Sequence, residues 1–330
     1  MITYHSIENL SSIDQEDFLK LLNDTFGKQQ RYKWNRNEKY LQWKYLDSVF
    51  GKPIIHTLKK SEKLVSSSLL WPWQFICRGE VFKVYQPCDT VVHPSFQGQG
   101  LFSELNKFRI PDIKKRQIPF VYNFPNEKSV NGYIKFGWKY LEKMPWLIKV
   151  KNPIGLLAIN SGKLRGNPVE IIETDKINSG ECHIVNNTRE KFFETISTNR
   201  IEGYFKWRFN DHPFFNYGQV IIEKGKKRTG AIFCVNQFGS YRELVVVDMF
   251  GDRTQVKELF KEIEKKAKRY KASYIISLQN PYYKMNKLYL NGYFKVRNKN
   301  MVLMPFDVRL EDKFTNYNNW NINAAMHDSI

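Results

Sequence analysis

Apolar and polar residues alternate along Val84-Tyr85-Gln86-Pro87-Cys88-Asp89-Thr90-Val91-Val92, and that period of two predicts a strand. Just beyond, Leu101, Leu105 and Phe108 recur at the spacing of one helix face. The apolar run Ile118 to Phe124 predicts a buried strand, and Pro125 to Trp138 a short helix closed by Gly137 at its C-terminal cap. Ile54 to Leu70 and Val220 to Val235 read as strand-like runs broken by basic turns. Phe260, Ile263, Ala267 and Tyr270 set a helix across the lysine-rich stretch 261–271, whose charges are expected on its solvated side.

Two passages echo each other. Glu38-Lys-Tyr40-Leu-Gln-Trp43-Lys-Tyr45 returns as Glu202-Gly-Tyr204-Phe-Lys-Trp207-Arg-Phe209, 164 positions on (Trp43 to Trp207). Tyr133-Ile-Lys-Phe-Gly137-Trp-Lys-Tyr-Leu returns as Leu288-Tyr-Leu-Asn-Gly292-Tyr-Phe-Lys-Val, 155 positions on (Gly137 to Gly292). Two anchors in one order predict a duplicated domain. The expected division is 1–151, a linker at 152–168 where Gly, Pro, Asn and Ser concentrate, 169–310, and a polar Asn-rich tail at 311–330 that either docks through Trp320 or frays.

Between the strand ending at Val92 and the helix opening at Leu101 lies His93-Pro-Ser-Phe-Gln97-Gly98-Gln99-Gly100. A glycine-rich turn feeding a helix N-terminus is an anion site: unpartnered amides converge and the helix dipole adds positive charge. The Lys-Ser/Thr ending of a P-loop is missing, as is the three-glycine dinucleotide fingerprint. Gln97-x-x-Gly100-x-Phe102 resembles motif A of the GNAT superfamily of acyl-CoA N-acyltransferases, Gln/Arg-x-x-Gly-x-Gly/Ala, departing from it at Phe102. The downstream pattern Asn126-x6-Tyr133-x3-Gly137-aromatic resembles the helix that lies across the coenzyme in that family.

The resemblance covers roughly residues 1–150 and implies an α/β (α+β) fold of two tandem GNAT-like domains, each a mixed, mostly antiparallel sheet flanked by helices. It implies acetyl-CoA as co-substrate, held by Thr90, Val91, Val92, Gln97, Gly98, Gln99, Gly100, Leu101, Phe102 and Asn126. By position, the Thr90 amide polarises the acyl carbonyl, the Val92 amide meets the pantetheine arm and Gln97 to Phe102 hold the pyrophosphate. Tyr133 matches the tyrosine that protonates the departing thiolate. Asp89 is the candidate base, with a structural carboxylate as its other reading, since it projects to the face opposite Thr90. In the second half, Val246 to Gln255 stands where Val91 to Gly100 does in the first. One glycine survives, Asp248 and Asp252 bring negative charge, and Leu288 replaces Tyr133. The second domain is expected to have lost the coenzyme and to wall the acceptor site.

Composition narrows the partners. Among 330 residues, 42% are hydrophobic and 15% aromatic, enough for well-packed cores, and the net charge of +19 favours anionic ligands. A small amine acceptor fits, an amino sugar or nucleotide-linked sugar among them. Nucleic acid ranks below it, because no zinc-finger spacing, RRM strand or KH loop is present. Four cysteines without CxxC spacing, no signal-peptide pattern and no apolar run of membrane-spanning length lead to the expectation of a soluble cytoplasmic protein. No metal site is expected, and neither Ser-His-Asp nor metal-ligand spacing is seen. The rival readings are a non-catalytic coenzyme- or nucleotide-binding module and an aminoacyl or lipid-acyl transferase.

Overall fold

The computed structural model describes residues 2–8, 15–27, 35–127, 129–152, 169–187, 194–307 and 311–327. Nearly all of the expected linker, 153–168, lies outside the described residues. The first half runs β1 (Ile2–Ile7), α1 (Gln15–Phe26), α2 (Glu38–Leu41) continued by a π-helical turn (Gln42–Leu46), β2 (Ile54–Lys60), β3 (Lys63–Cys77), β4 (Glu80–Val92), α3 (Leu101–Lys115), β5 (Phe120–Asn123), α4 (Val130–Lys135) and β6 (Lys139–Val150). The second follows with β7 (Val169–Ile171), α5 (Ser179–Asn187), β8 (Ile196–Thr198), a π-helical turn (Lys206–Asn210), β9 (Tyr217–Lys224), β10 (Lys227–Phe238), β11 (Tyr241–Gly251), α6 (Val256–Arg269), β12 (Tyr274–Leu278) and β13 (Phe294–Pro305), then α7 (Glu311–Thr315) and β14 (Trp320–Asn321). Both basic turns close hairpins. At the first, Ser61 and Glu62 take positive φ (50° and 63°), the left-handed pair that matches strand twist in a two-residue turn.

Among the described residues the strands join one sheet, mostly antiparallel, in the order β1-β2-β3-β4-β5-β13-β6-β12-β11-β10-β7, with β9 on β10, β8 on β3 and β14 on β8. The halves exchange their last strands. β6 leaves the first half to lie between β12 and β13, and β13 crosses back to sit between β5 and β6. These are the strands that follow the second repeated anchor, at Gly137 and Gly292. The first anchor forms the centre of the molecule. Trp43 Nε1 donates to the Trp207 carbonyl at 2.7 Å and Trp207 Nε1 to the Trp43 carbonyl at 2.8 Å. Such a reciprocal contact is what a two-fold axis produces between subunits; here it joins two halves of one chain.

The largest apolar cluster belongs to both halves. It takes Trp43, Trp71 and Trp73 from the first, and Tyr204, Trp207 and Phe209 from the second, together with Phe314, Trp320 and Met326 of the tail. Trp320 is fully buried and donates from Nε1 to the Phe314 carbonyl, so the described part of the tail docks. The other sheet face carries α3 and α4, where Tyr85, Leu70 and Val121 pack with Ile113 and Tyr133.

Candidate active site

β4 and β5 are parallel yet share one bridge, Tyr85 to Val121. Past Gln86 the strands part, opening a slot toward their C-terminal ends. On its other side β4 stays paired with β3, and the His93 amide donates to the Val65 carbonyl at 2.9 Å. Because alternate amides face alternate edges, the Val91 amide faces β3 and the Val92 amide faces the slot. A bulge opposite Ser68, with Asp89 at φ 43°, breaks the alternation just before this stretch. Cys88 and Asp89 therefore both reach the tryptophan-rich face, where the Tyr45 hydroxyl meets both side chains. Thr90 turns to the α3 face, where its Oγ1 lies 2.9 Å from Ser68 Oγ.

The strand runs into a 3-10 turn (Pro94–Phe96), then Gln97 to Gly100, then α3. Gly98 and Gly100 hold φ of 78° and 76°, and a Cβ at either would meet only open space. Their freedom is thus conformational, and the space in front of them stays clear. Among the described residues the amides of Gly98, Gln99 and Gly100 have no backbone acceptor, and those of Leu101 and Phe102 open a helix and lack intrahelical ones. This is the backbone geometry of a nest, a turn whose amides can meet an anion. Gln97 lends no side-chain contact to it, since its Nε2 ties back to the Val92 carbonyl at 3.1 Å. The Phe102 ring packs on Tyr133 and Phe136 of α4, and a Cβ on Gly132 would sit 3.4 Å from it. The bulky residue at this motif position serves to seat α4 on α3. Leu101 is buried beside Leu58, Val65 and Leu105, and Gln99 is exposed.

Tyr133 is buried at the slot, its hydroxyl accepting from Asn123 Nδ2 at 2.7 Å. Asn126 spends its Oδ1 on the Ser129 amide and hydroxyl, both at 3.0 Å, which closes the turn into α4. Sequence reasoning missed Arg109, Ser68 and Asn123. Arg109 is 1% exposed and donates to Ser68 Oγ at 2.7 Å and to Asn106 Oδ1. The Tyr133 hydroxyl lies near its guanidinium. A polar chain thus runs from Thr90 through Ser68 and Arg109 to Tyr133 and Asn123. Its legible signal was a cation four residues after Leu105, on the buried stripe of a helix.

Asp89 is 4% exposed and enclosed by four donors. Arg36 Nε reaches Oδ1 at 3.2 Å, while the Tyr40 hydroxyl (3.2 Å), Lys44 Nζ (3.1 Å) and the Tyr45 hydroxyl reach Oδ2. Burial works against the charge on Arg36, but Asp89 outweighs it and the guanidinium pKa is raised. Burial first, then Asp89, push the Tyr45 phenol well up. An amine could reach this carboxylate only by displacing a donor.

The second half repeats the scaffold with a different strand–helix junction. Asp248 sits at the matching bulge, gripped by Arg200 through Nε at 3.0 Å and Nη2 at 2.5 Å, with the Tyr204 hydroxyl at 3.4 Å. Its charge is buried and paired, so it is no barrier to a phosphate, contrary to the expectation from sequence. Asp252 occupies the place of His93: each caps a 3-10 turn by accepting from the amide two residues on. After that turn α6 starts at once at Val256, with no counterpart of Gln97 to Gly100. β11 and β12 pair over Glu243 to Val246, where β4 and β5 share a single bridge. Leu288 lies buried in a 3-10 segment that replaces α4.

The four cysteines are free thiols and buried. Among the described residues no helix is long and apolar enough to cross a membrane, and no three His, Cys, Asp or Glu side chains converge to hold a metal ion.

Residues 6–141 match the family described as acetyltransferase (GNAT) domain. No curated protein matches the sequence. Among solved structures, the chain is similar to a GCN5-related N-acetyltransferase from Anabaena variabilis (13% identity, TM-score 0.65, covering 93% of this chain and 74% of that one). It is similar to a probable N-acyltransferase of unknown function from Enterococcus faecalis (12%, TM-score 0.62, 93% and 73%). Saccharomyces cerevisiae N-myristoyltransferase, solved with myristoyl-CoA, shares the fold at 13% identity and TM-score 0.56, over 92% of this chain and 82% of that one. The matched segment, residues 6–141, holds the parted parallel strands and the glycine turn and is similar to a GNAT acetyltransferase domain, and the fold of both halves is similar to that of the solved GNAT structures.

Proposed function

We propose that the protein is an N-acyltransferase that moves an acetyl group from acetyl-CoA to a small amine, through one site in its first half. The observation that carries this reading is the slot between β4 and β5 leading to the nest at Gly98 to Phe102. The nest suits a pyrophosphate and the Val92 amide suits the pantetheine arm. The Thr90 amide, beside the bulge, polarises the acyl carbonyl as the amine attacks. Tyr133 protonates the sulfur as the carbon–sulfur bond breaks. Asp89 keeps the α2 segment seated on the bulge, and the amine loses its proton to solvent. The net charge of +19 favours an acceptor with anionic character, such as a nucleotide-linked amino sugar. Buried free thiols support a reducing, cytoplasmic setting.

A longer acyl group is the second reading, since the yeast neighbour was solved with myristoyl-CoA. The test is thiol release from acyl-CoAs of graded chain length against an amine panel, with products identified by mass spectrometry. Acetyl transfer to an amine supports the first reading, preference for long chains the second, and coenzyme binding without thiol release refutes both. In the active assay Tyr133→Phe should lower kcat by about 10²–10⁴-fold with little change in coenzyme affinity.

A further inference from the structure

Arg109 is buried on α3. Among the described residues it makes no ion pair, and its Nε has no hydrogen-bond acceptor. Burying a guanidinium uncompensated costs several kcal/mol, so a cation kept this way is expected to meet negative charge at some stage. Burial lowers its pKa, and the nearby Tyr133 hydroxyl acts in the opposite direction.

We propose that Arg109 is the positioning residue for the acid step, holding the Tyr133 hydroxyl toward the slot and compensating the charge left on it once its proton has gone. This deepens the reading of Tyr133 given above and rests on it. As the tetrahedral adduct collapses, the carbon–sulfur bond breaks and its electron pair goes to sulfur. The proton on Tyr133 Oη passes to that sulfur, giving free thiol and a phenolate. The phenolate carries the one new negative charge, beside Arg109, until solvent returns a proton. Asn123 Nδ2, already donating to the same oxygen at 2.7 Å, supplies a second stabilising contact. Through Ser68 Oγ, at 2.7 Å, the same guanidinium fixes the partner of Thr90, so one side chain aligns both sides of the slot.

The other ionisable groups near Arg109 do not supply this charge. His56 of β2 is turned to Asp112 of α3 at 2.9 Å, and burial holds its pKa down to about 4. Asp112 is also held by Arg116, which caps the same helix, at 2.8 Å. Thr90 of β4 and Asn123 of β5 are neutral.

The experiment compares Arg109→Gln, Arg109→Lys, Tyr133→Phe and the double variant Arg109→Gln/Tyr133→Phe in the full chain; in the chains that keep Tyr133, 3-fluorotyrosine is placed at 133 and titrated by fluorine NMR. Arg109→Gln should lower kcat about tenfold or more at similar KM for acetyl-CoA and raise the phenol pKa by about 1–3 pH units. Arg109→Lys should recover part of both. In the Tyr133→Phe background the Arg109 substitution should cost little more, since both act on one proton. Additive losses, or an unshifted phenol, would overturn the proposal. Should Arg109→Gln fail to fold, the otherwise unchanged chain decides: a phenol titrating below that of the urea-unfolded chain supports the role, and one titrating above it refutes it. If Tyr133→Phe keeps full turnover, the reading of Tyr133 itself has failed. If only Arg109→Gln does, this inference alone has.

Discussion

Asp89 carries a charge that four donors from the α2 segment require, and the same geometry recurs at Asp248 with Arg200 and Tyr204. Asp89→Ala would strand Lys44, fully buried, and Arg36, mostly buried, without a counter-charge. The expected loss is about 3–5 kcal/mol, read as a lower urea midpoint. A loss below 1 kcal/mol would show that solvent or another anion takes its place. His56 makes a pH prediction. Its folded pKa of about 4 lies below the ordinary 6.5, so the folded state holds it neutral. Its contribution is fully present above pH 6.5 and is lost as pH falls toward 4. Between pH 7 and pH 5 it amounts to about 2 kcal/mol. His212, pushed down by burial and then by Arg208, adds in the same direction. His56→Gln should flatten the fall of Tm over that range; an unchanged slope would place the sensitivity elsewhere.

At the scale of elements, the strand–turn–helix unit from Val84 to Phe108 was legible because its periods of two and about four are local. The pairing of Thr90 with one face and Asp89 with the other was legible for the same reason. The bulge and the two π-helical turns were not, since each follows from tertiary pairing across β3 or the central tryptophans. The gapless comparison of Val91 to Gly100 with Val246 to Gln255 hid the real difference, a missing four-residue loop, and placed weight on the charge of Asp248 instead. Gly98 and Gly100 face open space. Gly100→Glu, whose Cβ meets no neighbouring atom, should cost about 1–2 kcal/mol through its left-handed backbone. Coenzyme binding should nonetheless vanish, as the carboxylate projects toward the nest. A well-folded Gly100→Glu protein that still binds would move the pyrophosphate to another place.

Across the whole molecule, the duplication was readable from the anchors at Trp43 and Trp207, but the strand exchange was not. Periodicity tells which face a residue occupies and says nothing of which strand lies beside it. A chain cut after Lys151 loses β13 from the edge of β5, and both neighbours of β6. It also exposes the tryptophan cluster that the second half and tail cover. That fragment should be insoluble or lack a cooperative unfolding transition; a stable fragment would show that the exchange is dispensable. The central claim is that one of two similar halves binds the coenzyme, because among the described residues only the first has the glycine loop from Gln97 to Gly100 before its helix. Calorimetric titration of the intact chain with acetyl-CoA tests it most directly. The account predicts one site per chain; two sites per chain would contradict it.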